Sequence, residues 1–113
     1  MDFKIKEELL SDGLAVLRVK GRLDAVVAPD LKLRLKELVA GGHVRLIVDL
    51  EDVSFIDSSG LAALVSGFRT AREAGGTVKL AGLNEQTMMV FKLTRLDRVF
   101  EIHLDAEAAI SSE

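Results

Sequence analysis

Two adjacent serines lie between an aspartate and a glycine in the segment Asp57-Ser58-Ser59-Gly60. A serine hydroxyl can accept a phosphoryl group, and the free N–H groups at a helix start accommodate a phosphate. Asp57 and Ser58 are both residue types that cap helix N-termini, and Gly60 would let another molecule approach the backbone. A phosphate placed at this turn would therefore be accommodated. On local composition alone, the segment is best interpreted as an ordinary helix cap, which is the common role of such a turn.

The residues on either side of the turn predict how it is positioned. Residues 44–50 are nearly continuously aliphatic, as in a strand that is covered on both faces, and residues 53–56 extend the strand to the serines. From Ser58 the apolar residues change to helical spacing, and that helix stops at Gly75-Gly76. Its apolar face is predicted to carry Leu61, Leu64, Val65 and Phe68. A buried strand thus delivers a polar turn from which a helix starts at once.

The opening of the chain predicts a β-hairpin. Residues 3–9 alternate between apolar and polar side chains, as in a half-buried strand. Asp12-Gly13 is a tight-turn signal, and residues 14–20 form the second strand. Residues 21–24, Gly-Arg-Leu-Asp, are expected to leave that strand as a loop or a short extension.

Helices alternate with strands after the hairpin. Pro29 and Asp30 suit the first turn of a helix that ends at Gly41-Gly42. The remaining expected elements are a strand at 77–81, a helix capped by Asn84 through about Leu93, a strand at 99–104 and a terminal helix capped by Asp105. The pattern predicts one α/β domain over residues 1–113, with a mixed β-sheet that opens with a hairpin. Four helices are few for two layers, so they should cover the sheet chiefly on one side.

Composition narrows the class of function. The chain has 113 residues, with 15 basic and 18 acidic side chains and a formal net charge of −3. That balance gives no footprint for nucleic acid or for an anionic membrane surface. The absence of cysteine excludes disulfides and thiolate metal sites. No signal peptide or run of about 20 apolar residues is found, so we expect a cytoplasmic protein without membrane insertion and without a cofactor.

A response-regulator receiver is the nearest competing class, because Asp57 ends a strand as a phosphoacceptor aspartate would. A receiver also needs an acidic pair after its first strand to hold Mg²⁺. Here Glu7 and Glu8 lie in or just after a hairpin strand, and residues 78–80 lack the following Lys-Pro turn. The sequence therefore disfavours a receiver.

Enzymatic and metal-binding functions are also disfavoured. The nucleophile elbow of a serine hydrolase needs glycine two residues to either side of the serine. The residue two positions before Ser58 is Ile56. His43 and His103 are the only histidines, and neither has a second His or Cys at metal-binding spacing. We therefore expect that the chain is not an enzyme and that it has no catalytic residues and no metal.

Several segments together resemble the STAS family, the sulfate transporter and anti-sigma-factor antagonist domains. The chain looks most like the stand-alone antagonists of bacterial partner-switching systems. The similarity runs from about Phe3 to Ile102. The matching segments are residues 21–24 (the family's G-E-L-D element), residues 47–50 and 53–61 (its central signature), residues 74–76 and residues 91–94.

The resemblance implies a phosphorylation switch. In this family an anti-sigma factor that is also a serine kinase phosphorylates the first hydroxyl residue of D-S-[ST]-G, which is Ser58 here, with Ser59 as the fallback. The unphosphorylated antagonist binds the anti-sigma factor and frees the sigma factor, and a serine phosphatase resets the phosphorylated form. The residues implied to contact the partner are Asp24, Asp57, Ser58, Ser59, Gly60 and Leu61.

The resemblance is incomplete at two positions. Arg22 replaces the glutamate of G-E-L-D, and Arg95 stands where the family often has glycine. Both departures bear on the identity of the partner more than on the serine motif. One alternative within the family stays open, since stand-alone STAS domains also serve as cytoplasmic subunits of transport complexes, including lipid-trafficking ABC transporters. Such a subunit docks on an ATPase and needs no phosphorylation.

Overall fold

The computed structural model describes residues 3–113, in which a five-stranded sheet is covered by helices. The strands are Lys4–Leu9 (β1), Leu14–Leu23 (β2), Arg45–Ile56 (β3), Thr77–Ala81 (β4) and Ile102–His103 (β5). The α-helices are Ala28–Ala40 (α1), Ser58–Glu73 (α2), Glu85–Leu93 (α3) and Ala106–Ser111 (α4), and Leu96–Arg98 form a 3-10 turn.

The sheet is mixed and opens with a hairpin, as the sequence predicts. Its strands lie in chain order, with β1 antiparallel to β2 and every later neighbour parallel. Asp12 and Gly13 form the hairpin turn with φ of 60° and 76°, a left-handed conformation that glycine adopts readily and aspartate tolerates. The parallel strands place the ends of β2 and β3 at one edge of the sheet.

The helices lie chiefly on one face of the sheet, which also confirms the prediction. Buried side chains of β2, β3 and β4 pack on that face against α1, α2 and α3, through residues such as Leu35, Leu64 and Phe91. The opposite face has a smaller apolar cluster, in which Val16 and Ile47 pack against Ala109 of α4. The larger cluster contains the main core and supports the helix that begins at Ser58.

Residues 21–23 form a short extension of β2, one of the two predicted possibilities, because they pair with the extended end of β3. One strand boundary differs from the prediction. The last strand was predicted over residues 99–104 but covers only Ile102–His103. Phe100 is buried in the core instead, with its ring edge-on to Phe68 and Phe91 at centroid distances of 5.2 and 6.0 Å.

The buried face of α2 is rotated slightly from the one predicted. Leu61 and Leu64 are buried as expected, while Phe68 is only half-buried. Gly67 and Ala71 continue the buried face in its place. A Cβ atom on Gly67 would lie 2.4 Å from Leu35 Cδ1, so the glycine permits α1 to pack close to α2.

Arg95 ends the α3 region in a left-handed conformation, with φ of 62°. That conformation costs an L-residue roughly 1–2 kcal/mol, whereas glycine adopts it freely. Arg95 therefore retains the backbone geometry expected of the glycine that it replaces.

Leu64 should contribute far more to stability than an exposed leucine. Leu64 is fully buried, whereas Leu33 of α1 is 53% exposed. We expect Leu64→Ala to lower the free energy of unfolding by about 2–5 kcal/mol and Leu33→Ala by less than about 0.5 kcal/mol. Phe68→Ala should fall between them because that ring is half-buried. Urea unfolding measures all three, and equal losses for the two leucines would contradict this assignment of the core.

Candidate phosphorylation and partner-binding site

The predicted site residues meet at the edge where β2 and β3 end. Leu23 and Ile56 are the last paired residues of the two strands. The Asp57 N–H then donates a 3.3 Å hydrogen bond to the carbonyl oxygen of Leu23. Asp24 follows β2 directly, and Ser58 follows Asp57. The loop after β2 and the turn before α2 are therefore neighbours on one surface.

Asp57, and not Ser58, caps α2. Asp57 has an extended backbone, and its Oδ1 accepts a 3.1 Å hydrogen bond from the Gly60 N–H. Its carbonyl oxygen accepts a further 3.0 Å bond from the Leu61 N–H, which closes the first helical turn. The sequence left both residues as candidate caps. Because Asp57 provides the cap, the Ser58 side chain is not needed for it.

Ser58 is exposed at the first position of α2, while Ser59 is half-buried. Within residues 3–113, neither hydroxyl takes part in a side-chain hydrogen bond. Ser59 lies in a shallow groove between the two long helices, lined also by Ala25, Ala28, Pro29, Lys32, Ala62 and Ala63. Of the two serines, Ser58 is the more accessible to an enzyme.

Position 60 requires glycine for a structural reason that the sequence did not reveal. We predicted that its missing side chain lets another molecule approach, but Gly60 is buried within the chain itself. A Cβ atom there would lie 2.5 Å from the carbonyl oxygen of Leu23 and 2.9 Å from Ile56 Cγ1. Leu61 is also buried, at 9% exposure. Both residues thus pack the start of α2 onto the sheet, and their contact with a partner stays a prediction.

Asp24 organises the loop that leads into α1. Its Oδ1 accepts a 3.1 Å hydrogen bond from the Val26 N–H, and its carbonyl oxygen accepts a 2.8 Å bond from the Ala28 N–H. The Asp24 residue is half-buried. Asp24 therefore shapes the loop beside Ser58, while its contact with a partner stays a prediction.

Arg22 and Phe55 form a surface feature that sequence reasoning missed. They face each other across β2 and β3, and the Arg22 guanidinium carbon lies 4.1 Å from the centroid of the Phe55 ring. The Arg22 Nε atom is also 3.8 Å from Asp24 Oδ2. Val26, 85% exposed, lies in the same loop region. Arg22 and Phe55 are paired by the register of β2 with β3, which the sequence alone does not predict.

In the described part of the chain, neither histidine forms a hydrogen bond with Ser58 or Ser59. His103 Nε2 lies 2.6 Å from Glu101 Oε2, and this bond, together with Lys79, holds the pKa of the Glu101 carboxyl below its usual value. His43 lies between the end of α1 and the start of β3. Within residues 3–113, no group of three His, Cys, Asp or Glu side chains is placed to hold a metal ion. No α-helix in the same range has the length and apolar character that crossing a bilayer requires.

The similarity of the chain to known proteins shows its family. The family model described as STAS domain matches residues 7–109. The chain belongs to the STAS domain family. This match confirms the family suggested by residues 21–24 and 47–61.

Named relatives of this STAS chain are antagonists of anti-sigma factors. The chain is 32% identical over 94 residues to an anti-sigma-B factor antagonist of Bacillus subtilis, with 83% of this chain and 85% of the relative aligned. It is 31% identical over 93 residues to an anti-sigma-F factor antagonist of Mycobacterium tuberculosis, with 80% and 74% aligned. The crystal structure of an anti-sigma factor antagonist from Mycobacterium paratuberculosis superimposes with a TM-score of 0.87 at 27% identity, covering 98% of this chain and 93% of the other.

Removing the cap at Asp57 should loosen the first turn of α2. Asp57→Ala loses the bond to the Gly60 N–H and should cost about 0.5–2 kcal/mol of stability, while Asp57→Asn retains a capping oxygen. Asp105→Ala is the matched control, because Asp105 caps α4 through a 2.8 Å bond from the Ala108 N–H. Hydrogen exchange should accelerate at Gly60 only in Asp57→Ala. Unchanged Gly60 protection in that variant would contradict the assigned cap.

Proposed function

We propose that this protein is an anti-sigma-factor antagonist that phosphorylation of Ser58 switches off. The observation that carries the proposal is an exposed serine hydroxyl at the first position of a helix that another residue already caps. The names of the relatives at 31–32% identity support the same function. The proposed partners are an anti-sigma factor with serine kinase activity and a serine phosphatase that resets the switch.

In this proposal the chain is a binding module and not an enzyme. Residues 1–113 act as one cytoplasmic domain, and the unphosphorylated form binds the anti-sigma factor so that the sigma factor is released. The contact surface is the edge formed by Asp24, Asp57, Ser58 and Ser59, with Gly60 and Leu61 setting the position of the turn. Ser59, which is half-buried, is the fallback acceptor.

The switching reaction transfers the γ-phosphoryl group of ATP to Oγ of Ser58. The oxygen–phosphorus bond to the leaving ADP breaks as the new bond forms, and a base of the kinase takes the hydroxyl proton. The residues of this chain contribute to the reaction only by positioning the Ser58 hydroxyl. Asp57 holds the helix start, and Gly60 keeps it close to Leu23, so that Ser58 is presented at a fixed place.

Phosphorylation should act on the interface and leave the fold intact. A phosphoserine carries about −1.5 to −2 charges, and the helix start stabilises such a charge by about 0.3–1 kcal/mol. The Asp57 carboxylate opposes this, since unit charges about 4 Å apart repel by roughly 4 kcal/mol at an effective dielectric of 20 and by less in water. Because these opposing effects act on an exposed turn, we expect them to leave the fold unchanged. At the interface, by contrast, the phosphate must lose water against a surface shaped for a hydroxyl.

Ser58 should be the phosphoacceptor. Incubation with the cognate kinase and ATP is expected to add one phosphate, which peptide mass spectrometry should locate on Ser58. Ser58→Ala should abolish incorporation, while the matched variant Ser59→Ala should retain it. Full incorporation in Ser58→Ala would refute the assignment and identify Ser59 or another residue as the acceptor.

Phosphorylation should weaken binding of the anti-sigma factor by roughly a hundredfold, which corresponds to a cost of about 3 kcal/mol. Ser58→Asp should reproduce part of this loss, because it supplies a single charge, and Ser58→Ala should bind without being inactivated by the kinase. Titration calorimetry with each form measures the affinities. Equal affinity of both phosphorylation states would contradict the switch, and co-purification with a transporter ATPase instead of a kinase would favour the transport-subunit alternative.

A further inference from the structure

The arginines of the chain divide into two groups by their ion pairs. Four have a guanidinium nitrogen within 4.0 Å of a carboxylate oxygen, namely Arg18, Arg22, Arg34 and Arg45. The other four form no such pair within residues 3–113, and these are Arg69, Arg72, Arg95 and Arg98. All four are exposed, and they occupy the last turns of α2 and the segment that follows α3. The arginines without an ion pair in the described part of the chain thus lie on two segments, whereas the lysines are spread over the other elements.

An open groove lies between these two segments. It is lined by Val65, Phe68, Arg69, Arg72, Glu73 and Val99. Phe100, next to Val99, packs edge-on against Phe68 and so holds the two walls together. The Arg72 guanidinium carbon lies 5.8 Å from the centroid of the Phe68 ring. The groove therefore combines an apolar floor with cationic side chains along α2.

The lining predicts the chemistry of an occupant. Val99 is 45% exposed and Phe68 is half-buried, so apolar surface is available to an apolar side chain. Arg69 and Arg72 attract carboxylates, and Arg can bind them in bidentate fashion. Glu73 is the one acidic side chain in the lining. Phosphate backbones would match the cations but would leave the apolar floor unused, and the chain as a whole is acidic.

We propose that this groove is a second docking site, which binds an acidic segment of a partner protein that also carries apolar side chains. Arg69 lies eleven residues after Ser58 on α2, about 16 Å along the helix axis at 1.5 Å per residue. The groove is therefore remote from the phosphorylatable turn. A partner held there stays bound in both phosphorylation states, and the site does not depend on the function proposed for Ser58.

A set of short labelled peptides tests the occupant. The first alternates glutamate and leucine at helical spacing, the second has every leucine replaced by serine, and the third has every glutamate replaced by glutamine. Fluorescence anisotropy should show saturable binding of the first and at least about tenfold weaker binding of the other two. A single-stranded oligonucleotide and phosphatidylglycerol vesicles should not bind. Binding of either of these in place of the first peptide would refute a protein segment as the occupant.

Paired variants test the location. Arg69→Gln with Arg72→Gln should weaken the first peptide by at least about tenfold. Lys36→Gln with Lys92→Gln removes the same charge from exposed positions on α1 and α3 and should leave binding unchanged. Ser58→Asp should also bind normally. Amide shifts on titration should centre on residues 65–73 and 95–100. Equal binding by the two paired variants, or shifts centred on residues 57–62, would overturn the proposal.

Discussion

The close approach of α2 to the end of β2 constrains the rest of the site. The backbone of Gly60 packs so near Leu23 that a Cβ atom would lie 2.5 Å from the Leu23 carbonyl oxygen. That same carbonyl accepts the Asp57 N–H, which fixes the chain just before the helix. The start of α2 packs against Leu23 and is capped by Asp57. The Ser58 side chain is therefore left on the side that faces solvent. Exposure of Ser58 is thus a consequence of packing behind it.

A long central strand carries this constraint to the edge of the sheet. β3 pairs with β4 only over Arg45 to Asp49, and from there its partner is β2 alone. Extra residues in β3 shift the register with β2 twice. At the first shift, Asp49 Oδ1 accepts a 3.0 Å bond from the Glu51 N–H, and Arg18 pairs with Asp49 Oδ2 at 2.9 Å. Such bulges increase strand twist locally, and beyond β4 the strand β3 continues to the turn paired with β2 alone.

The sequence predicted the strand, the turn and the helix around Ser58 well because their signals are local. A buried strand, a capping residue and a change to helical period all lie within a few residues of Ser58. Long-range contacts were harder to predict. Gly60 packs against Leu23, and Arg22 stacks on Phe55, because of a strand register that no local pattern encodes. Phe100 was predicted to lie in the strand at 99–104, but its ring packs edge-on against Phe68 and Phe91 in the core, and that strand covers only Ile102–His103.

The central claim is that phosphorylation of Ser58 changes a surface and leaves the supporting frame unchanged. Amide chemical shifts of the unphosphorylated and phosphorylated protein test it most directly, since every backbone N–H reports its own surroundings. The account predicts differences confined to Asp24 and residues 57–62, with the amides of β2, β3 and β4 unchanged elsewhere. Differences spread through the whole sheet would show that phosphorylation refolds the domain and would contradict the account.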